Sequence, residues 1–132
     1  MFKLKKIINS GTSAPEPIRL PKKTNTTFHP GELLRLGVNG LTACAYIDYP
    51  DFISLGTYSG DEAVCFAVTE DMIFECECHD KTNTPRIGDQ YDIYCDDYTA
   101  LELGNLNSEG AATILGVNGN TITVRFKRIY MV

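Results

Sequence analysis

The chain has 132 residues, 43% of them hydrophobic and 22% charged, with a formal net charge of −5; this is the size of one domain with one core, leaving no room for separate catalytic and cofactor domains. Its apolar runs, such as Ala43 to Ile47 and Ala63 to Val68, fall far short of the ~20 residues of a membrane-spanning helix. An acidic balance also disfavours nucleic acid, whose affinity for protein comes mainly from clustered lysine and arginine, so neither a membrane nor a nucleic-acid partner is expected.

Met1 to Ile8 places lysines beside a single apolar pair, without the apolar region of ~7–15 residues that marks a secretory signal. Cytoplasmic synthesis is expected. Residues 1–30 carry six lysines and arginines against one acid, a net +5, whereas residues 31–132 carry six against sixteen, a net −10. From Asn9 to Pro30 the chain is rich in Ser, Thr, Asn and Pro, which resist helix and favour an extended, solvated segment. The reading is therefore an extended basic N-terminal arm over residues 1–27 and a single β domain over residues 28–132.

Beyond Pro30, short apolar runs bounded by Gly, Pro, Asn and Asp recur at roughly ten-residue spacing, the pattern of antiparallel β structure. Gly31 to Leu36 reads as a first strand, and Val38-Asn39-Gly40-Leu41 as a tight turn into Thr42 to Ile47, because Asn-Gly tolerates the positive φ of a two-residue loop. Phe52 to Tyr58 and Ala63 to Val68 flank Ser59-Gly60-Asp61-Glu62 as a second hairpin. In Met72 to Cys78 the alternation puts Met72, Phe74, Cys76 and Cys78 on a core face and Ile73, Glu75 and Glu77 on the other. Arg86 to Asp89 turns into a strand over Gln90 to Cys95, with Tyr91, Ile93 and Cys95 inward. Tyr98 to Leu106 reads as a short turn of helix. Ala112 to Val117, Asn118-Gly119-Asn120 and Thr121 to Phe126 form a last hairpin whose final strand closes the sheet. The fold class is all-β, a small antiparallel barrel or sandwich preceded by the arm.

Five cysteines are an odd number without a secretory signal, which disfavours a disulfide framework; Cys44, Cys65, Cys76, Cys78 and Cys95 read as reduced, mostly buried small hydrophobes. Cys76-Glu77-Cys78-His79 has soft ligands for zinc, but no second Cys/His pair stands at finger-like spacing. The simpler reading is two core thiols and a surface histidine at a strand end, so no metal and no cofactor are expected. His29, between Phe28 and Pro30, and His79 lie in no nucleophile motif. The acidic pairs Asp61-Glu62, Glu70-Asp71 and Asp96-Asp97 lack the ordered spacing of a calcium loop and suit turns. The chain does not read as an enzyme.

Several elements in order carry a family resemblance. They are Phe28-x-Pro30-Gly31-Glu32-x-Leu34, Gly40-Leu41-Thr42, Pro50-x-Phe52-Ile53-Ser54, Gly60-Asp61-Glu62-Ala63-Val64, Val68 to Glu75, Arg86-x-Gly88-Asp89 and Val124-Arg125-Phe126. Together the chain resembles the small capsid-decoration or head-fibre-like proteins of tailed bacteriophages. The resemblance implies a non-catalytic virion protein, made in the host cytoplasm, that binds the outer face of an assembled capsid and bridges major capsid subunits. By analogy it implies a homo-oligomer, a trimer. On that reading the arm supplies the contacts, with Phe2, Ile7 and Ile8 as apolar anchors and Lys3, Lys5, Lys6, Arg19, Lys22 and Lys23 meeting an acidic partner. The alternatives are another virion part, from tail or baseplate, or a carbohydrate-binding β module whose tyrosines stack on sugars. A small thiol hydrolase built on Cys76 or Cys78 with His79 is the enzymatic alternative.

Overall fold

The computed structural model describes residues 1–8, 15–57, 60–79, 84–95 and 100–127. Eleven strands run through them: β1 Lys3–Ile7, β2 Ile18–Pro21, β3 Leu33–Gly37, β4 Gly40–Ala43, β5 Phe52–Thr57, β6 Glu62–Ala67, β7 Met72–Cys76, β8 Gln90–Tyr94, β9 Glu102–Leu106, β10 Ala112–Asn118 and β11 Thr121–Phe126. They form two antiparallel sheets, a six-stranded one in the order β1-β7-β11-β10-β8-β9 and a five-stranded one in the order β2-β6-β5-β3-β4. No helix occurs among the described residues. The all-β class stands, and of the two architectures expected, the barrel does not form. Each sheet instead curls until a single parallel bridge touches its far side, Cys78 to Leu103 in one and Lys22 to Leu41 in the other.

The hairpins follow their turn chemistry. β3 pairs with β4, β5 with β6, and β10 with β11, the last with a bulge between Ile114 and Gly116. Period-two alternation holds in β7, where Met72, Phe74 and Cys76 are buried, and in β11, where Ile122, Val124 and Phe126 are buried. Leu33, Ile53 and Phe66 join these residues in the main core, while their neighbours Leu34, Phe52 and Cys65 pack into a second cluster with Phe28, Leu41, Ala63 and Leu20. The five-stranded sheet thus buries both faces, which is why its strands read as doubled apolar residues instead of a clean alternation.

Four expectations change. First, the described residues of segment 1–27 are extended, but they are not a loose arm. β1 pairs with β7 in register Lys3 to Glu75 and Ile7 to Met72, and β2 pairs with β6 from Ile18 opposite Cys65 to Pro21 opposite Glu62. Phe2 is 2% exposed, its ring edge-on to Phe126 with centroids 5.5 Å apart, and its N–H donates to the Gly31 carbonyl at 3.0 Å. The apolar positions Phe2, Leu4 and Ile7 reach the core because a bulge between Leu4 and Lys6 absorbs the extra residue. Secondly, the final strand β11 lies inside the six-stranded sheet between β7 and β10 and does not close it. Thirdly, Glu102 to Leu106 is strand β9 where a helical turn was expected; Tyr98 and Thr99 lie outside the described residues. Fourthly, the strand expected to run to Ile47 ends at Ala43, because the Asp48 carboxylate accepts the Ala45 N–H at 2.8 Å and turns the chain.

Candidate partner-binding surface

The nine residues expected to meet a partner are distributed by the fold over two sheet edges. On β1, the outermost strand of the six-stranded sheet, Lys3, Lys5 and Lys6 are exposed, and the Lys5 ammonium lies 3.0 Å from the Glu75 carboxylate. Phe2 is buried, and Ile7 and Ile8 are half-buried, Ile7 against the core and Ile8 donating its N–H to the Asp71 carbonyl at 2.8 Å. Of the apolar anchors assigned to the arm, Phe2 and Ile7 are therefore part of the protein's own packing. On β2, the outer strand of the other sheet, Arg19 is exposed; Lys22 is half-buried with its ammonium donating to the Thr26 carbonyl, and Lys23 is exposed while its N–H donates to the Leu41 carbonyl at 3.0 Å.

These edges are chemically blunted. A row of unpaired backbone groups invites another strand, and lysines, bulges and prolines discourage it. β1 carries three lysines and a bulge; β2 is flanked by Pro17 and ends in Pro21, which lack the N–H a further strand would need. β9 is covered where Leu103 donates to the Glu77 carbonyl at 3.0 Å and accepts from the His79 N–H at 2.8 Å. What these edges offer a partner is side-chain charge, not ladder hydrogen bonds.

A second surface escaped the sequence reading. Leu36 is 50% exposed and Val38 fully exposed on the β3–β4 hairpin, and Tyr46 and Ile47 are 61% and 70% exposed on the following loop. That loop is fastened to β3 by Arg35, whose Nε lies 3.2 Å from the Asp48 carboxylate, and by the Leu36 N–H, which donates to the Asp51 carboxylate at 3.0 Å. Four large apolar side chains held outward within twelve residues of sequence are the kind of surface that marks an interaction site. Leu36 and Ile47 sit in runs that alternation assigns to a core, so only the position of the strand ends distinguishes them.

A half-open concavity of about 650 Å³ lies between loop 23–29 and β4, with Lys23, Thr26, Phe28, His29, Thr42 and Cys95 on its walls. His29 is exposed and its backbone N–H donates to the buried Glu32 carboxylate at 3.0 Å, whose other oxygen accepts the Ala100 N–H at 3.2 Å. Glu32 joins the start of β3 to the segment entering β9.

The Cys76-Glu77-Cys78-His79 constellation does not converge. Cys76 and Cys78 point into the core, the Cys78 thiol donating to the Gly104 carbonyl at 3.6 Å. His79 turns outward, where its ring stacks on Tyr94 at 3.6 Å and its Nδ1 lies 3.2 Å from the Glu102 carboxylate. Burial holds the Cys76 thiol far above its ordinary range, so the thiolate needed for metal binding or attack is strongly disfavoured. None of the five cysteines is in a disulfide; four are buried and Cys95 is half-buried. Of the acidic pairs, Asp71 accepts a hydrogen bond from the Thr69 hydroxyl in the β6–β7 turn, and Glu62 begins β6; Asp96-Asp97 lies outside the described residues. Among the described residues no group of three His, Cys, Asp or Glu side chains is placed to hold a metal.

No family model, curated protein or solved structure matches the chain.

Proposed function

We propose that the protein is a non-catalytic virion component of a tailed bacteriophage that seats on the outer surface of the assembled capsid and stabilises it by bridging major capsid subunits. The resemblance in order and spacing of its elements motivates the reading. The structural observation that supports it is the separation of charge: Lys3, Lys5 and Lys6 project from one ordered sheet edge of a chain whose residues 31–132 carry a net −10. A fixed row of lysines meets an acidic partner surface with less loss of side-chain and backbone freedom than a tethered arm ordering on contact. Leu36, Val38, Tyr46 and Ile47 supply the exposed apolar contacts that the buried Phe2 cannot make and that Ile7 and Ile8 offer only in part. Assembly of the protein into trimers on the shell belongs to the same proposal.

The carbohydrate-binding alternative draws less support, because Tyr91 is buried and Tyr94, on β8, has a ring face covered by His79. The test is capsid stability. Shells assembled without the protein should dissociate at a higher temperature once it is added, and an unchanged dissociation temperature at saturating protein contradicts the bridging role.

A further inference from the structure

The chain holds two Asn-Gly steps, Asn39-Gly40 and Asn118-Gly119, and each stands at a hairpin. In such a step the following backbone nitrogen reaches the asparagine side-chain amide with the least hindrance, since glycine has no Cβ in the way. The two turns hold that nitrogen differently.

In the β3–β4 hairpin the ladder pairs Gly37 with Gly40, so the loop residues are Val38 and Asn39. The Cys44 N–H donates to the Leu33 carbonyl at 3.0 Å. Hydrogen-bonded pairs of an antiparallel ladder recur at every second residue, which makes Arg35 with Thr42 and Gly37 with Gly40 the next two such pairs. The Gly40 nitrogen is therefore held in the ladder. It is also enclosed: φ is +106°, and a Cβ at this position would come within 2.9 Å of the Pro21 carbonyl oxygen and the Lys22 carbonyl carbon.

In the β10–β11 hairpin the closing pair is Asn118 with Thr121, and Gly119 and Asn120 form the loop. Gly119 has φ of +62°, as the first central residue of a two-residue turn requires when the second keeps a negative φ. No atom lies within 4 Å of where its Cβ would stand. Asn118 is exposed, and the Gly119 nitrogen belongs to no ladder pair.

We propose that Asn118 is a site of spontaneous intramolecular deamidation and that turn geometry protects Asn39 from the same reaction. The Gly119 backbone nitrogen gives up its proton to hydroxide and bonds to Cγ of Asn118. The bond from Cγ to the side-chain nitrogen breaks, ammonia departs with a proton from water, and a five-membered succinimide remains. Water then adds to one of the two ring carbonyls and opens the ring to aspartate or isoaspartate. Hydroxide and water are the only co-reactants, and no electron changes hands. The product adds one negative charge at the hairpin tip, and its isoaspartyl form lengthens the backbone at the closing pair. Asn107-Ser108, another flexible-looking step, is held at both ends of its amide: Nδ2 donates to Asp92 and Oδ1 accepts from the Glu109 N–H, each at 3.0 Å. Asn9-Ser10 lies outside the described residues.

Incubating the full chain at mildly alkaline pH and mapping its peptides by mass spectrometry, with isoaspartate detected by methyltransferase labelling, tests the assignment. In the folded protein the Asn118 peptide should convert roughly tenfold or more faster than the Asn39 peptide, and in denaturant the two rates should converge. Asn118→Gln should abolish conversion at that step and leave Asn39 as slow as before. Equal rates in the folded chain, a faster Asn39, or a rate difference that persists in denaturant overturns the proposal.

Discussion

Phe2→Ala removes a ring that is 2% exposed and packed edge-on against Phe126. Truncating a buried phenylalanine costs about 3–5 kcal/mol, transfer and residual cavity together. Set against a total stability of about 5–15 kcal/mol for a domain, this is a large fraction. It corresponds to a fall in Tm of about 10–20 °C for a chain of this length. Far-UV circular dichroism in urea is the suitable assay, because the chain has no tryptophan to report by fluorescence, and the midpoint should fall with the slope unchanged. Lys6→Ala, at an exposed position of the adjoining β1, supplies the control and should stay within about 0.5 kcal/mol of wild type. A Phe2→Ala midpoint as near to wild type as that of Lys6→Ala refutes the placement of β1 in the core.

Glu32→Ala, which strands the His29 and Ala100 N–H groups in a buried site, should cost about 3 kcal/mol in the same urea assay, and Glu32→Gln, which keeps one acceptor oxygen, should cost less. Native thiol labelling should modify Cys95 first and the four buried cysteines only on unfolding. Burial pushes the Cys65 thiol from its ordinary 9.0 up to about 11, so the folded state keeps that proton longer than the unfolded state does. The stability linked to it is present below pH 9.0 and lost as pH climbs through about 11; the urea midpoint should fall across that window, and fall less in Cys65→Ala. Tyr46→Ser with Ile47→Ser should leave the fold within about 0.5 kcal/mol of wild type and weaken capsid binding roughly tenfold, measured by titrating shells with labelled protein.

β7 and the last hairpin were legible because alternation buries Met72, Phe74 and Cys76 in β7 and Ile122, Val124 and Phe126 in β11, and an Asn-Gly turn precedes β11. β1 was hidden by its own edge chemistry. Three lysines occupy the exposed positions and the bulge shifts Ile7 out of the alternation set by Phe2 and Leu4, so a core strand reads as a solvated tail. β2 was hidden by prolines, which suit an outer strand as well as a loop. Gly104 and Asn105 in β9 are poor strand formers locally, and the pairing with β8 overrides them. The separation of positive and negative charge was visible in the sequence, but its placement on a fixed edge depended on long-range pairing between residues 3–7 and 72–75. The exposed apolar group at Leu36, Val38, Tyr46 and Ile47 could not be told from core before the strand ends were known.

Docking on a capsid is tested most directly by co-sedimentation of the purified full chain with assembled shells that lack it, alongside a variant carrying Lys3→Glu and Lys6→Glu on the ordered edge. Wild type should bind saturably in fixed proportion to the major capsid subunits, and the variant, folded by circular dichroism, should stay in the supernatant. Failure of the wild-type protein to sediment with the shells contradicts the capsid reading, and equal binding by the variant contradicts the role given to the lysine edge.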